Sequence, residues 1–348
     1  MIERPALLPG TPDQGNAMDV LSQILQAVQL SGAVYLSAEF TAPWCVVSQA
    51  DDEVCAAYLP RSERVVSFHL IAEGACQARL ADDDALVLLS AGDLLVVPQG
   101  DVHLLGSDLS LVPVPSAPLL AQHVRTSPGT MLRFSHGGGG AATRMVCGFL
   151  TCDGIMSNPL LLSLPRLFRV DVGTGIESTW LVSALTFAAA EAAERRAGSS
   201  TVLAKLSELL FVQAVRHCID GLPEDQRGWL AALRDRYVGP AMLRLHTDPA
   251  HCWTVDELAG HVGLSRSAFA QRFTGLLGQP PMQYLAHWRL RAAARELRNG
   301  SRPLAHLAEA AGYASEAAFS RAFKREFGLP PASWRAGGLP AGRAEHAG

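Results

Sequence analysis

"GLSRSAFAQRF", residues 263–273, returns in altered form as "GYASEAAFSRAF", residues 312–323. Ahead of the first copy, Thr254 and Glu257 stand three apart, the spacing of a capping box that starts a short helix. Leu258, Ala259 and Val262 give that helix one apolar side. Gly263 stands where it has to end, in a left-handed conformation that glycine adopts without strain. Leu264 plugs the corner and Ser265 caps a second helix, in which Phe269, Phe273 and Leu276 recur at i, i+4 and i+7 and face a core. Gly278 and the pair Pro280–Pro281 stop it. The second copy repeats these parts as Leu307, Ala308, Gly312, Tyr313, Phe319, Phe323, Phe327, Gly328 and Pro330–Pro331, with one extra residue in its turn. The expectation is two helix–turn–helix units joined by one helix over "MQYLAHWRLRAAARELRNG", residues 282–300.

What these units do is suggested by what they leave outside. The first second-helix keeps Arg266, Ser267, Ala270 and Gln271 off its core side; the second keeps Glu316, Ala317, Ser320, Arg321, Lys324 and Arg325. Charge divides the same way. Residues 1–239 carry 16 basic and 25 acidic side chains, whereas residues 240–335 carry 12 basic and 7 acidic. A basic helical domain behind an acidic one points to a polyanion partner for the C-terminal part. A connector of fixed length can hold two recognition helices about 34 Å apart, one turn of DNA, so that both enter one face of the duplex.

Residues 240–335, and above all "AAGYASEAAFSRAFKREFGLPPASWR" at 310–335, resemble the DNA-binding domain of the AraC/XylS family of bacterial transcription regulators. The resemblance implies double-stranded DNA as partner. It places Ser267, Ala270 and Gln271 of the first unit, and Glu316, Ala317 and Arg321 of the second, where they face bases. Arg266, Lys324 and Arg325 then meet phosphates. RNA polymerase becomes a further partner if the regulator activates.

The N-terminal half has another texture. Residues 1–17 are polar and rich in Pro and Gly and read as disordered, and "MDVLSQILQAVQL" from Met18 reads as a helix. From Ala33 to Val112 short apolar or alternating runs, separated by "AEGA", "ADDD", "SAGD" and "PQGD", predict an antiparallel sandwich or barrel. "GDLLVVPQGDVH", residues 92–103, resembles the second motif of the cupin barrel, and "FHLIAEG", residues 68–74, a reduced form of the first. The resemblance implies a sensor domain of the kind found in a subgroup of AraC-like regulators. His69, Glu73 and His103 are its candidate ligand-binding residues; strand alternation would point 69, 71 and 73 one way, but Ile71 stands where a second motif histidine belongs. A cupin-type, dioxygenase-like metal enzyme fused to a DNA-binding domain is the alternative, and the reduced motif together with the attached domain favours a regulator without enzymatic activity.

The fold expected is therefore α+β and multidomain. A cupin-like antiparallel β-barrel covers 18–175, a helical connector 176–239, an all-α domain with two helix-turn-helix units 240–335, and a disordered tail 336–348. The apolar stripe of Thr201–Ile219 serves either the barrel core or a partner helix, and a homodimer is expected through this region. Seven dispersed cysteines, no leader-like start and no apolar run of membrane-spanning length fit a cytoplasmic protein with reduced thiols and no membrane partner. Cys45 and Cys76 are candidate redox sensors if their thiolates are stabilised. Cys147 and Cys152, with His136 and His123 not far off in sequence, are the residues a zinc or other divalent metal would use, although the two cysteines fall on opposite faces of a regular strand. The signal itself, whether a small-molecule effector, a metal or an oxidant, is not written in these residues.

Overall fold

A computed structural model describes residues 21, 22, 25, 31–49, 64–118, 132–152, 154–172, 183, 184, 186, 187, 197–223 and 225–337. Of the helix expected from Met18, Leu21, Ser22 and Leu25 are described and helical; Val20, Ile24 and Val28 lie outside the described residues. Contacts divide the chain into two compact units, one covering residues 28–222 and the other taking in everything from Pro223 onward.

The first unit is sheet-rich. Its strands are β1 (Ser31–Thr41), β2 (Cys45–Ser48), β3 (Arg64–Glu73), β4 (Ala75–Leu80), β5 (Val87–Ser90), β6 (Asp93–Val97), β7 (His103–Gly106), β8 (Val114–Pro115), β9 (Leu132–Gly137), β10 (Ala142–Cys152) and β11 (Phe168–Asp171). One sheet runs β11-β6-β3-β10-β1-β9 and the other β5-β4-β7-β2-β8. The closed antiparallel barrel expected from the sequence is not what the described strands form: they make two separate sheets, with parallel pairs β1–β9 and β2–β8 at one edge of each. Strand alternation turns Phe40, Ile71, Leu95, Leu105 and Met145, with Cys76 and Cys147, into one buried layer, which Trp44 joins from the turn between β1 and β2. Helix α1 (Gly154–Ser163) follows β10, and α2 (Ser199–Asp220) packs against β1 and β10. The α2 stripe, Leu203, Leu210, Phe211, Ala214 and Val215, is buried. In its middle sits a buried Ser207, whose hydroxyl donates to the Leu203 carbonyl at 3.1 Å and so carries no unpaired donor into the core.

The second unit is helical throughout: α3 (Trp229–Arg234), α4 (Val238–Thr247), α5 (Val255–His261), α6 (Arg266–Leu277), α7 (Pro281–Asn299), α8 (Leu304–Ala310), α9 (Glu316–Phe327) and α10 (Pro331–Arg335). By sequence α3 reads as the end of the connector; in the fold it packs on α4 and α6, and the Gly228 amide just ahead of it donates to the Leu276 carbonyl at 2.9 Å.

Candidate nucleic-acid interface and sensor interior

The two units announced by the repeat are built by local chemistry. Thr254 accepts the Glu257 amide and starts α5, while the Glu257 carboxylate accepts from His251 Nε2 at 2.9 Å. Ser265 and Ser315 cap α6 and α9 by accepting the amides of Ala268 and Ala318. Gly263 and Gly312 hold φ of 71° and 79°, and Gly278 and Gly328 end the recognition helices in the same left-handed region. Phe269, Phe273, Phe319 and Phe323 have no exposed surface, each contributing on the order of 2 kcal/mol through burial. Their burial fixes which side of α6 and α9 faces out.

On that side Arg266, Ser267 and Gln271 are exposed and Ala270 is half-buried on α6; Glu316, Ala317, Arg321, Lys324 and Arg325 are exposed on α9. The two faces differ in how their cations are engaged. Arg266 pairs with Asp256 of α5 at 3.1 Å, and Arg272 with Asp235 at 2.6 Å. Arg321, Lys324 and Arg325 hold no ion pair among the described residues, so the second helix presents its charge unneutralised.

Residues that the sequence reading passed over set the frame behind α6. Asp235 accepts the amides of Tyr237 and Val238 at 3.0 and 2.9 Å, starting α4, and takes a forked pair of bonds from Arg272 Nε and Nη2 at 2.8 and 2.6 Å. Burial alone would raise its carboxyl pKa, but the Arg272 bonds and the two amides outweigh that and hold it below its ordinary value. Behind these, the Tyr284 hydroxyl accepts from Trp229 Nε1 at 3.0 Å and donates to His246 Nε2 at 2.7 Å, tying α3, α4 and α7 together. Burial drives His246 down to about 3, so it is neutral there. At the other end, Trp334 Nε1 donates to the Ala294 carbonyl at 3.1 Å and Arg298 lies over its ring, seating α10 on α7. Apart from the two amides that Asp235 accepts, these contacts leave no local signature, since each joins residues more than 30 positions apart.

In the sheet-rich unit two imidazoles meet in the interior. His69 and His103 are both buried and their Nε2 atoms lie 2.8 Å apart. His103 Nδ1 donates to the Asp101 carbonyl at 2.8 Å, which makes its Nε2 the acceptor and His69 Nε2 the donor. His69 Nδ1 then remains a buried acceptor without a partner, as does the hydroxyl of Ser67 two residues earlier on β3. Burial lowers the pKa of both imidazoles, with the mutual repulsion of the pair adding to that of His69, so the pair is neutral.

Glu73 does not join them. The β3–β10 register shifts between Arg144 and Met145, so Ile71 stays opposite Met145 while Glu73 falls opposite Arg144, and its exposed carboxylate pairs with that guanidinium at 2.7 Å. The bulge breaks the alternation that would have aligned 69, 71 and 73. Two imidazoles at hydrogen-bond distance, with Ile71 beside them, do not fit a metal: zinc–nitrogen bonds of about 2.0–2.1 Å in a tetrahedral site would hold the nitrogens about 3.4 Å apart and need further donors.

The remaining candidates are dispersed. Cys147 faces the core layer and Cys152, five residues on, the opposite side of β10; His136 is half-buried on β9, with β1 lying between, and His123 lies outside the described residues. Among the described residues no group of three His, Cys, Asp or Glu side chains is placed to hold a metal. The thiolate stabilisation asked of Cys45 and Cys76 runs the other way: burial raises both, Cys76 to about 12 with the Asp93 charge adding to it. Cys147 is raised further still, by burial and by Cys76. All three stay thiols at neutral pH. No helix among the described residues is long and apolar enough to cross a membrane.

The sequence profile of the cupin family matches residues 19–220, and that of a helix-turn-helix domain matches residues 258–337. A protein of Streptomyces antibioticus named as an AraC-like transcription regulator is 32% identical over 323 residues, covering 93% of this chain and 100% of its own length. A second protein with that name, from Streptomyces lividans, is 34% identical over 274 residues, covering 78% and 87%. The HTH-type transcriptional regulator AlkR of Acinetobacter baylyi is 29% identical over 333 residues, covering 91% and 99%.

Proposed function

The chain belongs to the AraC-like transcription regulators that carry a cupin domain ahead of a helix-turn-helix domain, and from that premise we propose how its two units divide the work. The C-terminal unit lays α6 and α9 into consecutive major grooves of double-stranded DNA. Ser267, Ala270 and Gln271 read bases in one groove and Glu316, Ala317 and Arg321 in the next, while Arg266, Lys324 and Arg325 hold phosphates. The single observation that carries this reading is the pair of matched units, each with a serine-capped second helix whose polar side is exposed. Because the first helix has both of its cations tied to carboxylates, the second supplies most of the salt-dependent affinity.

The cupin unit acts as the sensor rather than as an enzyme. The unpartnered His69 Nδ1 and Ser67 hydroxyl offer an acceptor and a donor to a small polar effector, and no metal-centred chemistry is derived from the His69–His103 pair. The protein works as a cytoplasmic homodimer. With its apolar stripe buried, α2 reaches a partner through its outward side, where Val202 is exposed.

The test replaces Arg321 with Ala and measures binding of the full-length protein to DNA from beside its own gene. Affinity falls and preference at one base position relaxes, by about 1–3 kcal/mol for the loss of a bidentate base contact. Unchanged affinity together with unchanged sequence preference would show that α9 is not the recognition helix.

A further inference from the structure

Arg289 stands in the middle of α7, the helix that joins the two helix-turn-helix units, and its guanidinium reaches into both. Nε donates to the Pro249 carbonyl at 2.5 Å and Nη2 to the His251 carbonyl at 2.7 Å; both carbonyls belong to the loop that leads from α4 into α5 of the first unit. The remaining nitrogen, Nη1, lies against the turn of the second unit: a Cβ built on Gly312 would come within 2.5 Å of it. The matching turn glycine of the first unit, Gly263, has nothing within 4 Å of such an atom. The two turn glycines hold similar φ, yet of the two only Gly312 is closed over a side chain from the connector.

A guanidinium is planar and its donors are fixed relative to one another, so it acts as a rigid plate. Here one edge is bonded to the first unit and the other is capped by the second. Elsewhere α7 meets one unit at a time: Tyr284 packs against Phe273 on one side, and on the other the Ala294 carbonyl accepts from Trp334 Nε1 and His287 lies 3.8 Å from the Glu326 carboxylate. None of these reaches both units through one planar group, as the Arg289 guanidinium does.

We propose that Arg289 is a positioning residue that sets the angle between α6 and α9, so that both helices fit consecutive grooves at one spacing. The inference rests on the reading that both units bind DNA. Arg289 acts without touching a base, through the α4–α5 loop of the first unit and the turn of the second.

The experiment uses the full-length protein with nitroxide labels on unnatural amino acids at the exposed positions Gly275 and Ser333, leaving the native cysteines in place. Electron–electron double resonance then reports the distance distribution between α6 and α10, without DNA. Binding is measured to two duplexes, one with both half-sites and one with the second scrambled. Arg289→Ala broadens the distribution and lowers affinity for the intact site by about tenfold or more, while affinity for the single half-site stays within about twofold, because coupling between linked modules is what is lost. Arg289→Lys keeps the charge and loses the fork. It shows the same pattern more weakly, whereas a role in plain charge attraction to DNA would leave it at the wild-type value. A distribution as narrow as wild type in both variants, or equal losses on both duplexes, would overturn the proposal. If the unsubstituted protein fails to distinguish the two duplexes, the two-groove reading fails instead, and the distance distributions still decide the role of Arg289.

Discussion

Replacing Asp235 with Ala removes three anchors at once. The carboxylate is nearly buried and accepts two amides at the start of α4, worth about 1 kcal/mol by analogy with helix caps. It also holds Arg272 through two short charge-assisted bonds; because the Arg272 side chain is half exposed, these are counted at about 1–2 kcal/mol rather than at the value of a buried pair. The expected loss is about 2–3 kcal/mol, which at a urea dependence of about 1–2 kcal/mol/M moves the midpoint of the C-terminal unit by about 1–3 M. Four of the six tryptophans, Trp229, Trp253, Trp288 and Trp334, lie in that unit, so intrinsic fluorescence follows its unfolding. Asp235→Asn keeps one carbonyl acceptor and loses about half as much. The carboxyl pKa is depressed in the folded state, so the contribution is present above about pH 4 and fades as pH falls through the folded value. A midpoint for Asp235→Ala within about 0.2 M of wild type would refute the claim that this carboxylate secures α4 and α6.

Neutral, buried His246 makes the same unit acid-sensitive in the opposite residue class. Its folded pKa of about 3 lies below the unfolded value of about 6.5, so its contribution is complete above pH 6.5 and shrinks by about 2–3 kcal/mol on going down to pH 4.5; His246→Gln should flatten that part of the stability–pH curve, and an unchanged slope would count against it. Gly263→Ala costs the left-handed strain alone, about 1–2 kcal/mol, and Gly312→Ala adds to the same strain whatever the Arg289 guanidinium loses in moving off the Pro249 and His251 carbonyls; equal melting temperatures would show that it moves aside without losing them. Exposed Cys252 reacts quickly with a thiol reagent in the native protein while Cys76 and Cys147 react only on unfolding, and rapid native labelling of either would show that the core layer is open.

The helix-turn-helix units were legible because their determinants are local. A capping Thr or Ser, a glycine forced to positive φ and phenylalanines four apart act within one or two turns of helix, and Thr254, Gly263, Phe269 and Phe273 behave as their spacing says. The sheet-rich unit was legible in class and misleading in detail. Alternation aligned Glu73 with His69, and a single bulge beside Arg144 turned it to solvent. A bulge depends on how the neighbouring strand pairs, which the strand's own sequence does not record. The Asp235–Arg272 and His246–Tyr284 contacts gave no warning because they join residues 37 and 38 positions apart; only the two amides that Asp235 accepts at the start of α4 are local. Cys76 shows the limit from another side: a thiol in a strand reads alike whether its surroundings favour the thiolate or, as here, oppose it.

Hydroxyl-radical footprinting of the full-length protein on DNA from beside its own gene tests the central claim most directly. Two protected patches per bound protomer on one face of the duplex, separated by about 10 base pairs and narrowing to one when Arg321 is replaced by Ala, are what paired recognition helices in consecutive major grooves produce. A single patch in the unsubstituted protein, or two that persist unchanged in the variant, would contradict it.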